Sequence, residues 1–147
     1  MKVMQIQDEW GPENIRLAKR PDPEPGLGEI VIDMKATAIN PRDLILARRG
    51  YGRHSGDLPL IPLADGAGYV SALGEGATKY QIGDMVCPIY NRNWLTGTSD
   101  LSHAGGSHGG PIDGTQCEKM LISESAVVRA PSYMTPKQAA TLTVAAL

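Results

Sequence analysis

The sequence is poor in aromatic residues and in cysteine. Its 147 residues include no phenylalanine and only 5% aromatic residues in all, so a hydrophobic core has to be built from Ile, Leu, Val, Met and Ala. Two cysteines, Cys87 and Cys117, are too few for a disulfide scaffold or for a four-cysteine zinc site within one chain. We expect both thiols to be free.

Long apolar runs and runs of like charge are also missing. No stretch approaches the roughly 20 apolar residues of a membrane-spanning helix, and the N-terminal residues MKVMQIQDEWG lack the long apolar centre of a signal peptide. The formal net charge is −2 and no basic stripe is present, which argues against a nucleic-acid or membrane-surface partner. We expect a cytoplasmic protein.

What is present favours a single β-rich domain. The chain has 17 glycines and 11 prolines scattered along it, as in folds with many turns between short strands. The clearest strand covers residues 29–39, where apolar and polar residues alternate. Residues 62–74 form a glycine-interrupted strand pattern, which is typical of a bulge or bend. Further strands are predicted at 2–6, 15–17, 85–88, 117–122 and 127–128.

Two short helices are predicted from their N-terminal signals. Asn40-Pro41-Arg42-Asp43 combines an N-cap residue, a proline at the first helical position and an early acidic residue, which indicates a helix at 41–49. Thr135-Pro136 followed by Gln138 has the pattern of a capping box and predicts a C-terminal helix from about 136. Its apolar positions continue to Leu147 without a stop signal, so we expect further polypeptide or a partner chain to cover this end.

Residues 90–116 show no periodic pattern and are predicted to form a long loop. His103 and His108 lie in this loop, within the sequence HAGGSHGG, and suggest a metal-binding hypothesis. Their spacing in a glycine-rich loop fixes no ligand geometry, so adventitious metal binding is the favoured alternative.

Three segments together resemble the N-terminal half of medium-chain dehydrogenases/reductases of the quinone-oxidoreductase-like kind. The segment VIDMKATAINPRDLILARRG resembles the family's strand-to-helix segment. The segment IPLADGAGYVSALGEGATKYQIGDMV is similar to the family's acidic-Gly-Ala-Gly block. The segment DGTQCEKMLISESAVVRAPSYMTPKQAATLTVAAL resembles the part that leads into the cofactor domain. Together they cover nearly the whole chain.

The resemblance implies a mainly β fold, a GroES-like, partly open β-barrel that spans residues 1–147 and packs against a Rossmann domain. It also implies NAD or NADP as the cofactor of the complete enzyme and a small-molecule carbonyl substrate. The glycines at 66–68 and 74–76 do not continue as G-x-G-x-x-G, because Ser71 and Lys79 stand at the third position. We expect that this chain lacks the Rossmann domain and binds no nucleotide alone, and that its partner is that domain or a second copy of the chain.

Zinc-dependent relatives hold their catalytic metal with Cys, His and a third ligand that is Glu or Cys. The resemblance places Asn40 at the Cys position and Ala64 at the His position, which leaves only Asp65 as an oxygen ligand. A single carboxylate does not provide the three protein ligands of a catalytic zinc site, so no metal is expected.

Asn40 and Asp43 are the candidate catalytic residues, and Asn40 and Arg42 are the candidate cofactor-binding residues. The resemblance implies that positions 40 and 43 face the nicotinamide end of the reaction cleft. An amide can orient a carbonyl group, and a carboxylate can join a proton relay. The alternative is that Asn40 and Asp43 only cap the short helix.

Tyr51, Asp65 and Trp94 are the candidate substrate-pocket residues. Aromatic side chains with a polar group often line pockets, although packing between surface loops is the alternative for Tyr51 and Trp94. For Asp65 the alternative is a hydrogen-bonding role at a strand bend.

The favoured function is therefore that of the substrate-side domain of a zinc-independent, NAD(P)-dependent oxidoreductase. Quinone, enone and carbonyl reductases and alcohol dehydrogenase-like enzymes are of this kind, and we expect the chain to be inactive alone. The alternative is a free-standing GroES-like binding or oligomerisation module whose C-terminal helix packs on another chain.

Overall fold

A computed structural model of the chain describes residues 1–98, 100 and 103–145. Within these residues the chain forms strands joined by turns, and two short helices. The elements in chain order are β1 (Lys2–Ile6), β2 (Ile15–Lys19), β3 (Glu29–Ala38), α1 (Pro41–Ala47), β4 (Asp65–Leu73), β5 (Met85–Pro88), β6 (Lys119–Ser123), β7 (Val127–Arg129) and α2 (Pro136–Ala139). The predicted mainly β fold is confirmed.

Five strands form one curled antiparallel sheet in the order β6-β3-β4-β5-β7, and β1 pairs with β2 in a separate hairpin. The long strand β3 lies between β6 and β4. Its pairing with β4 shifts register between Val31 and Ile32 and again between Met34 and Ala36. Such irregularities bend a strand, and this bending is how a sheet curls towards a partly open barrel.

The main core contains no aromatic residue among its fully buried members, as the composition requires. Ile30 and Ile32 are fully buried and form its centre, as the alternation in residues 29–39 predicts. Burying each such side chain stabilises the fold by about 1.5–3 kcal/mol relative to exposure. The core residues are Ile30, Ile32, Val70, Val86, Met120, Ile122, Ala126 and Val127.

The glycines of β4 allow β3 to approach closely. A Cβ atom on Gly68 would lie 2.2 Å from the carbonyl oxygen of Asp33, a distance that no side chain tolerates. The expectation of a bulged, glycine-interrupted strand at 62–74 is confirmed, although the regular strand begins only at Asp65.

Helix α1 ends two residues earlier than the predicted limit of 49. Arg48 is its C-cap, and Arg49 adopts the left-handed conformation with φ of 56°. Gly50 then donates its N–H to the carbonyl of Ile45 at 2.8 Å, which closes the helix in a Schellman-type turn. A Cβ on Gly50 would collide with the Ile45 side chain, so glycine serves here by its small size.

Helix α2 begins at Pro136 as predicted, but it ends at Ala139 and does not continue through residue 145. The next bonds, from Thr141 N–H to the Gln138 carbonyl and from Leu142 N–H to the Ala139 carbonyl, span three residues and tighten the turn. The Thr141 hydroxyl also donates to the Gln138 carbonyl, a local bond that competes with continued helix. The predicted end of the helix at Leu147 lies outside the described residues.

The loop at 90–116 has its own internal order where the structure describes it. Asn91 and Ser107 form an isolated β-bridge that draws the two ends of the loop together. The Asn91 side chain also donates to the carbonyl of His103. Among the helices of the described residues, none has the length and apolar character needed to cross a membrane.

Candidate functional site

The start of α1 brings Asn40 and Asp43 together, and both are buried, at 9% and 4% exposure. The Asp43 carboxylate accepts a hydrogen bond from the backbone N–H of Asn40 at 2.8 Å. This bond is one half of a capping box. Asn40 and Asp43 together form this capping box, and the Nδ2 group of Asn40 remains available to donate elsewhere.

The amide of Asn40 is directed at Asp65, the first residue of β4. Asn40 Nδ2 donates to Asp65 Oδ2 at 3.0 Å, and Thr143 Oγ1 donates to Asp65 Oδ1 at 2.8 Å. The backbone carbonyl of Asp65 accepts from Thr115 Oγ1 at 2.7 Å. Asp65 is fully buried. Each of its carboxylate oxygens has a hydrogen-bond donor, which offsets the cost of burying the charge.

Arg42 connects α1 with the long loop. Its Nη1 atom lies 3.2 Å from Asp43 Oδ1 and donates to the carbonyl of His108, while Nη2 donates to the carbonyl of Gly110. The guanidinium also lies over the ring of Tyr90, 5.1 Å from its centroid. With its side chain only 14% exposed, Arg42 is held in place by these contacts.

Burial controls the protonation of Asp43. Loss of solvent raises the pKa of its carboxyl, against the opposing effects of the Asn40 N–H and the Arg42 guanidinium. The neighbouring carboxylate of Asp65 raises this pKa further. A buried carboxyl group with a raised pKa is a candidate for proton transfer.

Two clefts open beside this cluster, and the structure places Tyr51 and Trp94 in different ones. The Trp94 cleft, of about 360 Å³, is mainly apolar and is lined by Ile89, Tyr90, Trp94, Val128, Leu142 and Thr143, among others. The Tyr51 cleft, of about 450 Å³, has a more polar lining than the Trp94 cleft and is lined by residues that include Arg42, Tyr51, Arg53, His54, Tyr90 and Ser107. Asp65 lines neither cleft, but it contacts the Trp94 cleft through Thr143.

The two histidines of the loop have separate partners. His108 is 3% exposed, its Nδ1 atom donates to the carbonyl of Asp113 at 3.1 Å, and burial lowers its pKa. His103 stacks on Trp94 with 5.8 Å between ring centroids. Within the part of the chain that the structure describes, no group of three or more His, Cys, Asp or Glu side chains is placed to hold a metal ion.

Three residues of the site were not identified from the sequence: Thr143, Thr115 and Tyr90. Thr143 falls in the segment predicted to be an apolar helix, where a hydroxyl carries no signal. Thr115 and Tyr90 lie near the two ends of the irregular loop. Thr115 contacts Asp65, 50 positions away, and Tyr90 contacts Arg42, 48 positions away. Only tertiary structure brings such distant positions together.

The chain matches a known domain family over most of its length. The family model of the alcohol dehydrogenase GroES-like domain matches residues 26–132. A zinc-type alcohol dehydrogenase-like protein of Schizosaccharomyces pombe is 31% identical over 140 residues, which are 95% of this chain and 39% of that protein. The human synaptic vesicle membrane protein VAT-1 homolog is 36% identical over 87 residues, 58% of this chain and 22% of that protein.

Solved structures have the same fold. An NAD-dependent alcohol dehydrogenase superposes with a TM-score of 0.83 at 27% identity, covering 98% of this chain and 43% of that one. A thermostable alcohol dehydrogenase from Pyrobaculum aerophilum has a TM-score of 0.81 at 28% identity, covering 98% of this chain and 44% of that one. The chain thus spans less than half the length of the relatives it matches.

Proposed function

The chain belongs to the alcohol dehydrogenase GroES-like domain family, and on this premise we propose that it is the substrate-side domain of a zinc-independent, NAD(P)-dependent oxidoreductase. Its substrate is a small carbonyl compound such as a quinone or an enone. The partner that completes the reaction cleft is a Rossmann domain or, failing that, a second copy of the chain. The cytoplasmic location stays a prediction.

The hydrogen bonding of Asp65 is the single observation that carries zinc independence. Zinc needs ligand lone pairs directed at the metal. Here Asn40 Nδ2 and Thr143 Oγ1 each donate to one oxygen of Asp65, which leaves fewer lone pairs for a metal. The group of Asn40 that faces Asp65 is its NH₂, which is a donor and cannot ligate a cation. Ala64, the residue before Asp65, has no ligand atom. The donor set therefore does not fit a catalytic zinc ion.

Elemental analysis tests this part of the proposal. The chain is produced in zinc-supplemented medium and dialysed against zinc-free buffer, and we expect far less than one zinc ion per chain. Added zinc should leave the thermal unfolding midpoint unchanged, since a bound metal would raise it. One tightly held zinc ion per chain that is lost in the Asp65→Asn variant would contradict the proposal.

In the complete enzyme the reduced nicotinamide of NAD(P) supplies the hydride. The residues of this chain position the substrate and hold the proton that is transferred in the reaction. We assign Asn40 and Asp43 to the catalytic side of the cleft, Asn40 and Arg42 to the face next to the cofactor, and Tyr51 with Trp94 to substrate contact. The buried Asp43 carboxyl, with its raised pKa, is suited to proton transfer.

The chain alone should neither bind NADPH appreciably nor catalyse hydride transfer. Residues 66–68 lie inside strand β4 and do not form a turn that opens a helix, so they offer no cradle for a pyrophosphate. Isothermal titration with NADPH measures this directly, and micromolar affinity would overturn the proposal. Adding the cofactor domain of a full-length relative, in the same chain, should restore NADPH binding.

A further inference from the structure

The Tyr51 cleft is lined by basic residues and by no acidic residue that the structure describes. The basic residues are Arg42, Arg53 and His54. Asp43 offsets the charge of Arg42. Arg53 is exposed and has no ion pair or side-chain hydrogen bond within residues 1–98, 100 and 103–145.

Two carboxylates lie in a depression next to Arg53, but neither forms an ion pair with it. Asp57 and Asp113 line this depression, which shares Arg53 and Pro111 with the Tyr51 cleft, and Asp113 is paired with Arg20. His54 is exposed and has no partner across the described structure, so a ring N–H group is free to donate. Hydroxyl groups of Tyr51 and Ser107 add further potential donors to the same walls.

The walls of the cleft are fixed relative to each other. The turn at Gly52–Ser55 packs against the loop, because a Cβ on Gly56 would lie 2.5 Å from the carbonyl oxygen of Pro111. Arg42 holds the opposite wall through the carbonyls of His108 and Gly110. These contacts fix the backbone on both sides of the cleft, while the exposed side chains of Arg53 and His54 remain available to a ligand.

The Tyr51 cleft adjoins the Trp94 cleft. Tyr90 lines both the Tyr51 cleft and the Trp94 cleft. A ligand with an apolar part and an anionic part can therefore contact both clefts across this residue.

From this arrangement we propose that the Tyr51 cleft binds the anionic group, a carboxylate or a phosphate, of a carbonyl substrate whose apolar part lies in the Trp94 cleft. That the ligand is a substrate rests on the proposed function. The preference of the cleft for an anion depends only on Arg53, His54 and their surroundings.

A matched pair of ligands tests the proposal on the chain itself. The probes are 4-oxopentanoate and its methyl ester, which share the ketone and differ in the carboxylate charge. Binding is measured by ligand-observed NMR at low ionic strength, because salt screens exposed charges. We expect 4-oxopentanoate to bind at least about threefold more tightly than the ester, the size of effect that an exposed charge pair provides.

Two arginine variants locate the effect. Arg53→Gln should remove the preference for the carboxylate, and Arg53→Lys should largely retain it, because the charge is kept. Arg48→Gln removes the same charge from an exposed arginine that does not line the cleft, and it should leave the preference unchanged. Equal binding of acid and ester, or equal loss in Arg48→Gln and Arg53→Gln, would overturn the proposal.

A competition experiment separates a substrate anion from a cofactor phosphate. NADPH added to the chain with bound 4-oxopentanoate should not displace it. Displacement by NADPH would assign the cleft to the cofactor and overturn the substrate assignment. A carboxylate preference that survives while the complete protein shows no oxidoreductase activity would refute the proposed function and leave the anion site standing.

Discussion

The side-chain amide of Asn40 donates to the carboxylate of Asp65 across 25 positions of sequence, at 3.0 Å and out of contact with solvent. This bond joins the start of α1 to the start of β4. The Thr143 hydroxyl donates to the other oxygen of the Asp65 carboxylate, so the segment after α2 is bound to the same carboxylate.

The Asn40→Asp variant should lose about 3 kcal/mol or more of unfolding free energy at neutral pH, because it replaces a donor with a second buried carboxylate. At acid pH one carboxyl can be protonated and can donate in place of the amide, so much of the loss should be recovered. Urea denaturation at the two pH values measures both effects. The matched control is Asn93→Asp on the exposed loop, and similar losses in the two variants would refute the role of the Asn40–Asp65 bond.

The Thr143→Val variant removes the donor to Asp65 Oδ1 at nearly constant volume. We expect a loss of about 1–3 kcal/mol in unfolding free energy, the usual cost of leaving a buried, charged acceptor without its donor. Thr143→Ser keeps the hydroxyl and should retain most of the stability. Hydrogen exchange should also show faster exchange in residues 140–145 of the valine variant, and unchanged exchange there would show that the bond does not hold this segment.

Raising the pH should reduce the contribution of Asp43 to the free energy of unfolding. Burial raises the pKa of Asp43, so the folded protein binds this proton more tightly than the unfolded chain does. Between the ordinary aspartate pKa and the higher folded pKa, the contribution of Asp43 to stability is therefore lost as pH rises. The difference in unfolding free energy between the wild type and Asp43→Asn should decrease from acid to neutral pH.

Asp33 provides a control of opposite sign. A hydrogen bond from Lys119 lowers the pKa of Asp33, so its contribution to stability is present above the ordinary aspartate pKa and is lost as pH falls. The difference between the wild type and Asp33→Asn should therefore increase from acid to neutral pH. Parallel slopes for the two variants would contradict the assignment of the Asp43 shift to burial.

Both thiols should be unreactive in the folded protein. Burial raises the pKa of Cys87 to about 11 and that of Cys117 to about 12, so almost no thiolate is present at about pH 8. A colorimetric thiol reagent should therefore react slowly with the native chain and should titrate two thiols promptly in strong denaturant. Prompt reaction of the reagent with either cysteine of the native chain would disprove this prediction.

Local sequence signals were sufficient for most of the secondary structure. The alternation around Ile30 and Ile32 identified β3, and Asn40-Pro41 and Thr135-Pro136 identified the starts of both helices. The helix ends were less predictable, because Arg49 takes the left-handed position at the end of α1 and Thr141 bonds back to the preceding turn after α2. Caps of this kind depend on contacts that the local pattern does not contain.

The site could be predicted only in part for the same reason. Asn40, Arg42 and Asp43 adjoin each other in sequence, and resemblance to a family pointed to them and to Asp65. The hydrogen bond from the Asn40 amide to Asp65 could not be predicted, because the two residues lie 25 positions apart and an asparagine before Pro41 is sufficiently explained as a cap. The contribution of Thr143 depends on a turn that interrupts the predicted helix.

Tyr90 lines both clefts, so a substitution at this residue affects both of them. A non-aromatic replacement at position 90 changes the linings of the Trp94 cleft and the Tyr51 cleft together, and it also removes the ring beneath Arg42. Selectivity for the tail of a ligand and selectivity for its head group are therefore not independently adjustable at this residue. Diversification among relatives should proceed through residues that belong to a single cleft, such as Trp94 or Arg53, while position 90 stays aromatic.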